Sequence, residues 1–230
     1  MELITGDSFA MELSGFDGLA TDPPYHRSTA TNSPVNGRLG CPDFSNAALL
    51  DLAERATKAD SFLIVTTNYP NGAELHALSK GTCWRWRATQ IWDKRPTRTW
   101  VSWGLPLKCV EYVHYFTRGT FKFSFKDGTV KPKVKRSSFG GKMKAKNRSN
   151  PNDVSYGMYS EVINPRVPRG KTRIHPTQKP TELSEMFARV VGAESRVLDP
   201  FCGSGALISA FPNALGIDLQ AWWASEPGSR

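Results

Sequence analysis

Thr21-Asp-Pro-Pro-Tyr25 puts one carboxylate, two prolines and one aromatic ring within five residues. Two consecutive prolines fix φ twice and press Asp22 into an extended conformation, so the stretch is stiff. Asp22 and a proline carbonyl can together accept both hydrogens of an amino group, while Tyr25 can stack on a flat ring. A second constellation is Asp199-Pro-Phe-Cys-Gly-Ser-Gly205. Gly203 and Gly205 allow tight turning and close backbone approach, as in a nucleotide-type cofactor loop between a strand and a helix. An acidic residue to hold ribose hydroxyls is expected about 20 residues on, at the end of the next strand. Asp218 sits there. The loop lacks the third glycine of a dinucleotide fingerprint and the Gly-Lys-Ser/Thr ending of a phosphate loop.

These residues need strands and helices to hold them. Met1–Ile4, Phe16–Ala20 and Ser195–Leu198 read as short strands, and Ser8–Leu13 as one or two helical turns. Ser61–Thr67 is a continuous apolar run of strand length, as in a parallel strand buried on both faces. Asp43 or Ser45 caps a helix predicted to run to Lys58, and Asn71–Leu78 reads as another. Arg85–Trp92 and Cys109–Phe116 alternate like strands that pair near a sheet edge. Pro180 suits the first turn of a helix to Val191 with Leu183, Phe187 and Val190 or Val191 on one face. A further helix is expected through Leu207 and Ile208, and a strand over Gly216–Leu219.

With 230 residues, 39% of them hydrophobic and 11% aromatic, the chain suits one substantial α/β domain with an inserted lobe. No window has the apolar length of a membrane span, and Glu2 and Asp7 stand where a signal peptide would be basic. Cys41, Cys83, Cys109 and Cys202 lack metal-ligand spacing, which speaks against a zinc site or a disulfide framework and for a reducing cytoplasm.

The net charge of +9 calls for a polyanionic partner. It is concentrated between Arg118 and Arg148, where Lys131, Lys133, Lys135, Arg136, Lys142, Lys144, Lys146 and Arg148 stand in a run that holds Asp127 as its only acid. Phe121, Phe123, Phe125 and Phe139 are interleaved. Basic residues with aromatics suit phosphate contacts plus stacking on bases, so 118–173 reads as a nucleic-acid-binding insertion; a solvated charged lobe is the alternative.

Asp-Pro-Pro-Tyr, then a basic insertion, then His175-Pro-Thr-Gln-Lys-Pro180, then Asp-Pro-Phe-Cys-Gly-Ser-Gly resembles, in that order, the β-class amino DNA methyltransferases. Ile91-Trp-Asp-Lys94 and Glu111-Tyr-Val-His-Tyr115 fit the family's mid-chain strands. The resemblance implies a Rossmann-like, doubly wound, mostly parallel sheet, circularly permuted so that Met1–Ile4 lies beside the strand ending at Asp218. It divides the chain into a catalytic half (1–117), a target-recognition insertion (118–173) and a cofactor half (174–230). The implied reaction is S-adenosylmethionine-dependent methylation of adenine N6 in double-stranded DNA, with a flipped target base and S-adenosylhomocysteine as product. Asp22, Pro23, Pro24 and Tyr25 would be catalytic. Asp7, Asp22, His175, Thr177, Lys179, Asp199, Phe201, Cys202, Gly203, Gly205 and Asp218 would hold the cofactor, with no metal. Asp22 favours adenine; cytosine N4, an RNA or protein amide substrate, and a non-catalytic DNA-binding protein on the same fold are the alternatives. A monomer or homodimer in a restriction-modification setting fits the family.

Overall fold

The computed structural model describes residues 1–24, 45–94, 109–125, 161–168, 174–175, 177–221 and 224. In chain order the elements are β1 (Glu2–Thr5), β2 (Phe16–Thr21), α1 (Asn46–Ala56), β3 (Thr57–Thr67), α2 (Tyr69–Ser79), β4 (Arg85–Asp93), β5 (Val110–Arg118), β6 (Val162–Ile163), α3 (Thr181–Val191), β7 (Val197–Asp199), a 3-10 turn (Ala206–Ile208) and β8 (Leu215–Asp218). Among the described residues one sheet runs β1-β8-β7-β2-β3-β5-β4-β6. The β1 to β3 side is parallel throughout, while β5 runs antiparallel to both β3 and β4.

Strand β3 shows why the sheet needs cover on both faces. Leu63 and Val65 point into a core with Leu19, Leu49, Leu52, Leu75 and Trp84, under α1 and α2. Phe62 and Ile64 point the other way, to Tyr115, Leu183, Phe187 and Ile208 under α3. Each such side chain contributes about 1.5–3 kcal/mol on burial. The helix starts are set locally: Ser45 Oγ accepts the Ala48 N–H at 3.1 Å, and Asn68 Oδ1 accepts the Asn71 N–H at 3.2 Å.

The first strand lies beside the last, as the permuted order requires. Leu3 pairs with Gly216 and Ile4 with Ile217, and the Gly6 N–H donates to the Asp218 carbonyl at 2.9 Å. Between β7 and β2 the chain order reverses, since β8 lies outside one and β3 outside the other. At such a switch point doubly wound folds bind ligands, beside the carboxyl ends of the strands.

Four expectations are corrected. Helix α1 stops at Ala56 rather than Lys58, because Thr57 Oγ1 donates to the Ala53 carbonyl at 2.7 Å and Thr57 already pairs with Phe16 in the sheet. Residues 8–10 form a turn and 11–13 no regular structure, so no helix follows Asp7. The Arg55 guanidinium donates to the Phe9 and Met11 carbonyls at 3.1 Å each, which a helix would need for its own bonds. After Gly205 there is one 3-10 turn, not a helix, since Phe211 buries into the core and Pro212 cannot extend a helical ladder.

The fourth correction concerns the phenylalanines that lead into the basic stretch. Arg118 belongs to β5, and Phe121, Phe123 and Phe125 pack on the α3-side core rather than offering faces to bases. The Phe123 and Phe125 rings stand 5.3 and 5.2 Å edge-on from Tyr115, and the Ser124 N–H donates to the Val190 carbonyl at 2.9 Å. Farther on, β6 pairs with Ile91 and Trp92, an edge strand that nothing in the basic stretch announced. Lys131, Lys133, Lys135, Arg136, Phe139, Lys142, Lys144, Lys146 and Arg148 lie outside the described residues.

Candidate active site at the switch point

Where β2 and β7 end side by side, Thr21 Oγ1 donates to Asp199 Oδ1 at 2.7 Å, fully buried. The same oxygen accepts the Phe201 N–H at 3.1 Å, which starts the glycine loop. Burial pushes the Asp199 carboxyl up to about 7; the two hydrogen bonds oppose this, and the nearby negative Asp22 and Asp218 add to it. Asp199 is thus spent on joining the Asp22 stretch to the glycine loop.

The loop's conformation depends on its glycines. Gly203 and Gly205 have φ of 51° and 76°, left-handed values that L side chains rarely adopt. A Cβ at Gly205 would also stand 3.0 Å from Leu3 of β1. Asp218, at the end of β8, accepts the Gly203 N–H at 2.9 Å and the Gln220 N–H at 3.0 Å. Each carboxylate oxygen therefore keeps a lone pair for a further donor. The Cys202 N–H donates to the Ile217 carbonyl at 3.0 Å, and its thiol is buried, which pushes its pKa up.

On the β1 side, Asp7 Oδ1 accepts the Phe9 N–H at 2.9 Å, and Ser8 Oγ donates to the Pro200 carbonyl at 3.2 Å. The Phe9 ring lies 5.9 Å from that of Phe201. On the α3 side, the His175 ring lies on Gly203, where a Cβ would meet it at 3.4 Å. Thr177 hydrogen-bonds His175 Nδ1, and the Gln178 side chain accepts the Ile174 N–H at 2.8 Å, bracing the turn.

Lys179 makes an ion pair with Asp22, and its ammonium lies 3.5 Å from Glu111 Oε2. Glu111 in turn pairs with Lys94 at 2.7 Å. Burial alone would lower the Lys179 pKa, but Asp22 and Glu111 outweigh it and hold the ammonium above the usual lysine value. Burial likewise opposes the Glu111 charge, which Lys179 and Lys94 hold below the usual carboxylate range. Sequence reading missed Glu111 and Lys94 as site residues. The signal was there: each is a charge beside an apolar strand end, and antiparallel pairing brings those ends together.

The structure thus gathers Asp7, Asp22, Pro23, Pro24, His175, Thr177, Lys179, Asp199, Phe201, Cys202, Gly203, Gly205 and Asp218 at one end of the sheet, where the parallel strands finish. Tyr25 lies outside the described residues. Among the described residues no group of three or more His, Cys, Asp or Glu side chains could hold a metal ion, and no helix is long and apolar enough to cross a membrane.

Residues 16–216 match the profile of a family described as DNA methylase, N6_N4_Mtase. No curated protein matches the chain at a significant level. Among solved structures, a complex of M1.HpyAVI with SAM is 18% identical, covers 96% of this chain and 94% of its own, and superposes with a TM-score of 0.62. The cytosine-N4-specific PvuII DNA methyltransferase is 13% identical, covers 95% and 81%, and has a TM-score of 0.64. At such identities the structural likeness concerns the fold.

Proposed function

Since the chain belongs to the N6/N4 DNA methylase family, we propose that it transfers a methyl group from S-adenosylmethionine to N6 of adenine in DNA. The observation that carries this reading is the coupling of Asp22 to the glycine loop through Thr21 and Asp199, which sets an amino-group acceptor beside a nucleotide-type site. The site's residues fit the cofactor. Gly203 and Gly205 let backbone approach closely, Asp218 retains acceptor capacity for ribose hydroxyls, and Asp7 and Phe201, linked through Phe9, are assigned to the adenine end. When bound, S-adenosylmethionine supplies an electrophilic sulfonium methyl.

An exocyclic amino group is a poor nucleophile, because its lone pair is delocalised into the ring. Asp22 and the Pro23 carbonyl accept its two hydrogens and draw the nitrogen toward tetrahedral geometry. Tyr25 stacks on the ring. Extruding the base from a duplex costs roughly a few kcal/mol, offset by that stacking and by backbone contacts from the basic stretch. Catalysis then comes from positioning and from charge placed where it develops, with no covalent enzyme nucleophile.

Mass spectrometry of nucleosides from DNA incubated with protein and S-adenosylmethionine tests this. N6-methyladenine is the expected product. N4-methylcytosine would keep the family chemistry and overturn the choice of base, and absence of both would overturn the enzyme reading.

A further inference from the structure

At the end of the sheet where the parallel strands finish, four charged side chains form a row drawn from four separate segments. Lys94 follows β4, Glu111 lies in β5, Lys179 precedes α3, and Asp22 follows β2. The contacts run Lys94 to Glu111 at 2.7 Å, Glu111 to Lys179 at 3.5 Å, and Lys179 to Asp22. Their side chains are 18%, 12%, 8% and 16% exposed, and the Trp92 ring lies about 6 Å from both ammonium groups, at 5.9 and 6.0 Å. Two charges of each sign cancel within the row. A buried row of this kind is a weak source of stability, because apolar residues of similar volume often do as well or better. Its presence calls for another reason.

The two contacts of Lys179 supply one. Asp22 needs lone pairs for the target amino group, and a buried ammonium bonded to Asp22 alone would draw electron density from it. Glu111 attracts the same ammonium from a second strand. Among the described residues Glu111 Oε2 has no shorter contact than the 3.5 Å one to the Lys179 ammonium. Lys94 holds the other oxygen, Oε1, and offsets the charge.

We propose that Glu111 is a positioning residue for methyl transfer, acting through Lys179 on the orientation and acceptor strength of Asp22, with Lys94 as its counter-charge. This rests on the methyltransferase reading above.

The test measures kcat, cofactor KM, cofactor Kd by calorimetry and melting temperature on the full chain with unmethylated genomic DNA. It compares the parent with Glu111→Gln, Glu111→Asp and the double variant Lys94→Met/Glu111→Gln. Glu111→Gln is expected to lower kcat by about tenfold or more while cofactor KM and Kd stay within about twofold. Glu111→Asp, which keeps the charge, should recover part of kcat. The double variant restores neutrality to the row, so it should regain melting temperature and not kcat. Parental kcat in Glu111→Gln, or recovery of kcat together with melting temperature in the double variant, would overturn the positioning role alone. A parent that methylates neither adenine nor cytosine would overturn the functional reading and this role with it.

Discussion

Thr21 Oγ1 donates to Asp199 Oδ1 at 2.7 Å across 178 residues of chain, and this bond fastens the Asp-Pro-Pro stretch to the glycine loop. Its acceptor is a fully buried carboxyl whose pKa is pushed up to about 7, chiefly by burial.

That shift gives the protein a pH-dependent stability. The folded pKa lies above the unfolded value of 3.8, so between these values the native state holds a proton that the unfolded chain has released. The contribution of Asp199 is full below about pH 4, falls as pH rises toward 7, and is flat above. Asp199→Asn can still accept from Thr21 and Phe201 but cannot ionise. Urea titrations at pH 5 and pH 8 should show the parent losing about 2.5 kcal/mol relative to the variant, since only the span from pH 5 to 7 is crossed. Equal pH slopes for the two proteins would contradict this.

Asp22→Ala should abolish methylation while leaving S-adenosylmethionine affinity within about tenfold, since Asp22 chiefly serves the target amino group. It also removes one partner of the buried Lys179, whose loss costs at most about 3–5 kcal/mol and less here because Glu111 remains. Radiolabel transfer, calorimetry and thermal melts separate the three effects. Substantial residual turnover would remove Asp22 from the mechanism.

Asp218→Ala should weaken S-adenosylmethionine binding by about 1.5–3 kcal/mol, the worth of hydrogen bonds to a charged group. DNA affinity without cofactor should barely change. Calorimetry that finds the parental Kd would rule out a ribose role.

The basic stretch and its leading phenylalanines should part company. Replacing Lys131, Lys133, Lys135 and Arg136 with Gln should lower affinity for every DNA sequence and flatten the log–log salt dependence by up to about 0.9 per lost contact. Phe123→Ala should instead lower stability by about 2–3 kcal/mol, below the value for a fully buried ring, and leave DNA affinity unchanged. Filter binding at several salt concentrations and denaturant titrations check the pair. A DNA-binding defect in Phe123→Ala without loss of stability would return that ring to base stacking.

Much of this protein was legible in its sequence, because its motifs are local. The two prolines after Asp22, the spacing of Gly203 and Gly205, and Asp218 one strand later fix backbone conformation within a few residues. The apolar run at Phe62–Val65 likewise declares a strand covered on both faces. The permuted pairing of β1 with β8 followed from motif order alone. Tertiary structure decided the rest. Whether Phe121, Phe123 and Phe125 meet bases or a core depends on Tyr115 and α3, brought from elsewhere in the chain. Whether residues 8–13 coil into a helix depends on Arg55 claiming their carbonyls. Where Lys179 points depends on two carboxylates, Asp22 and Glu111, each more than sixty residues away. A local pattern specifies what a residue can bond to, and only the packed chain specifies which partner arrives.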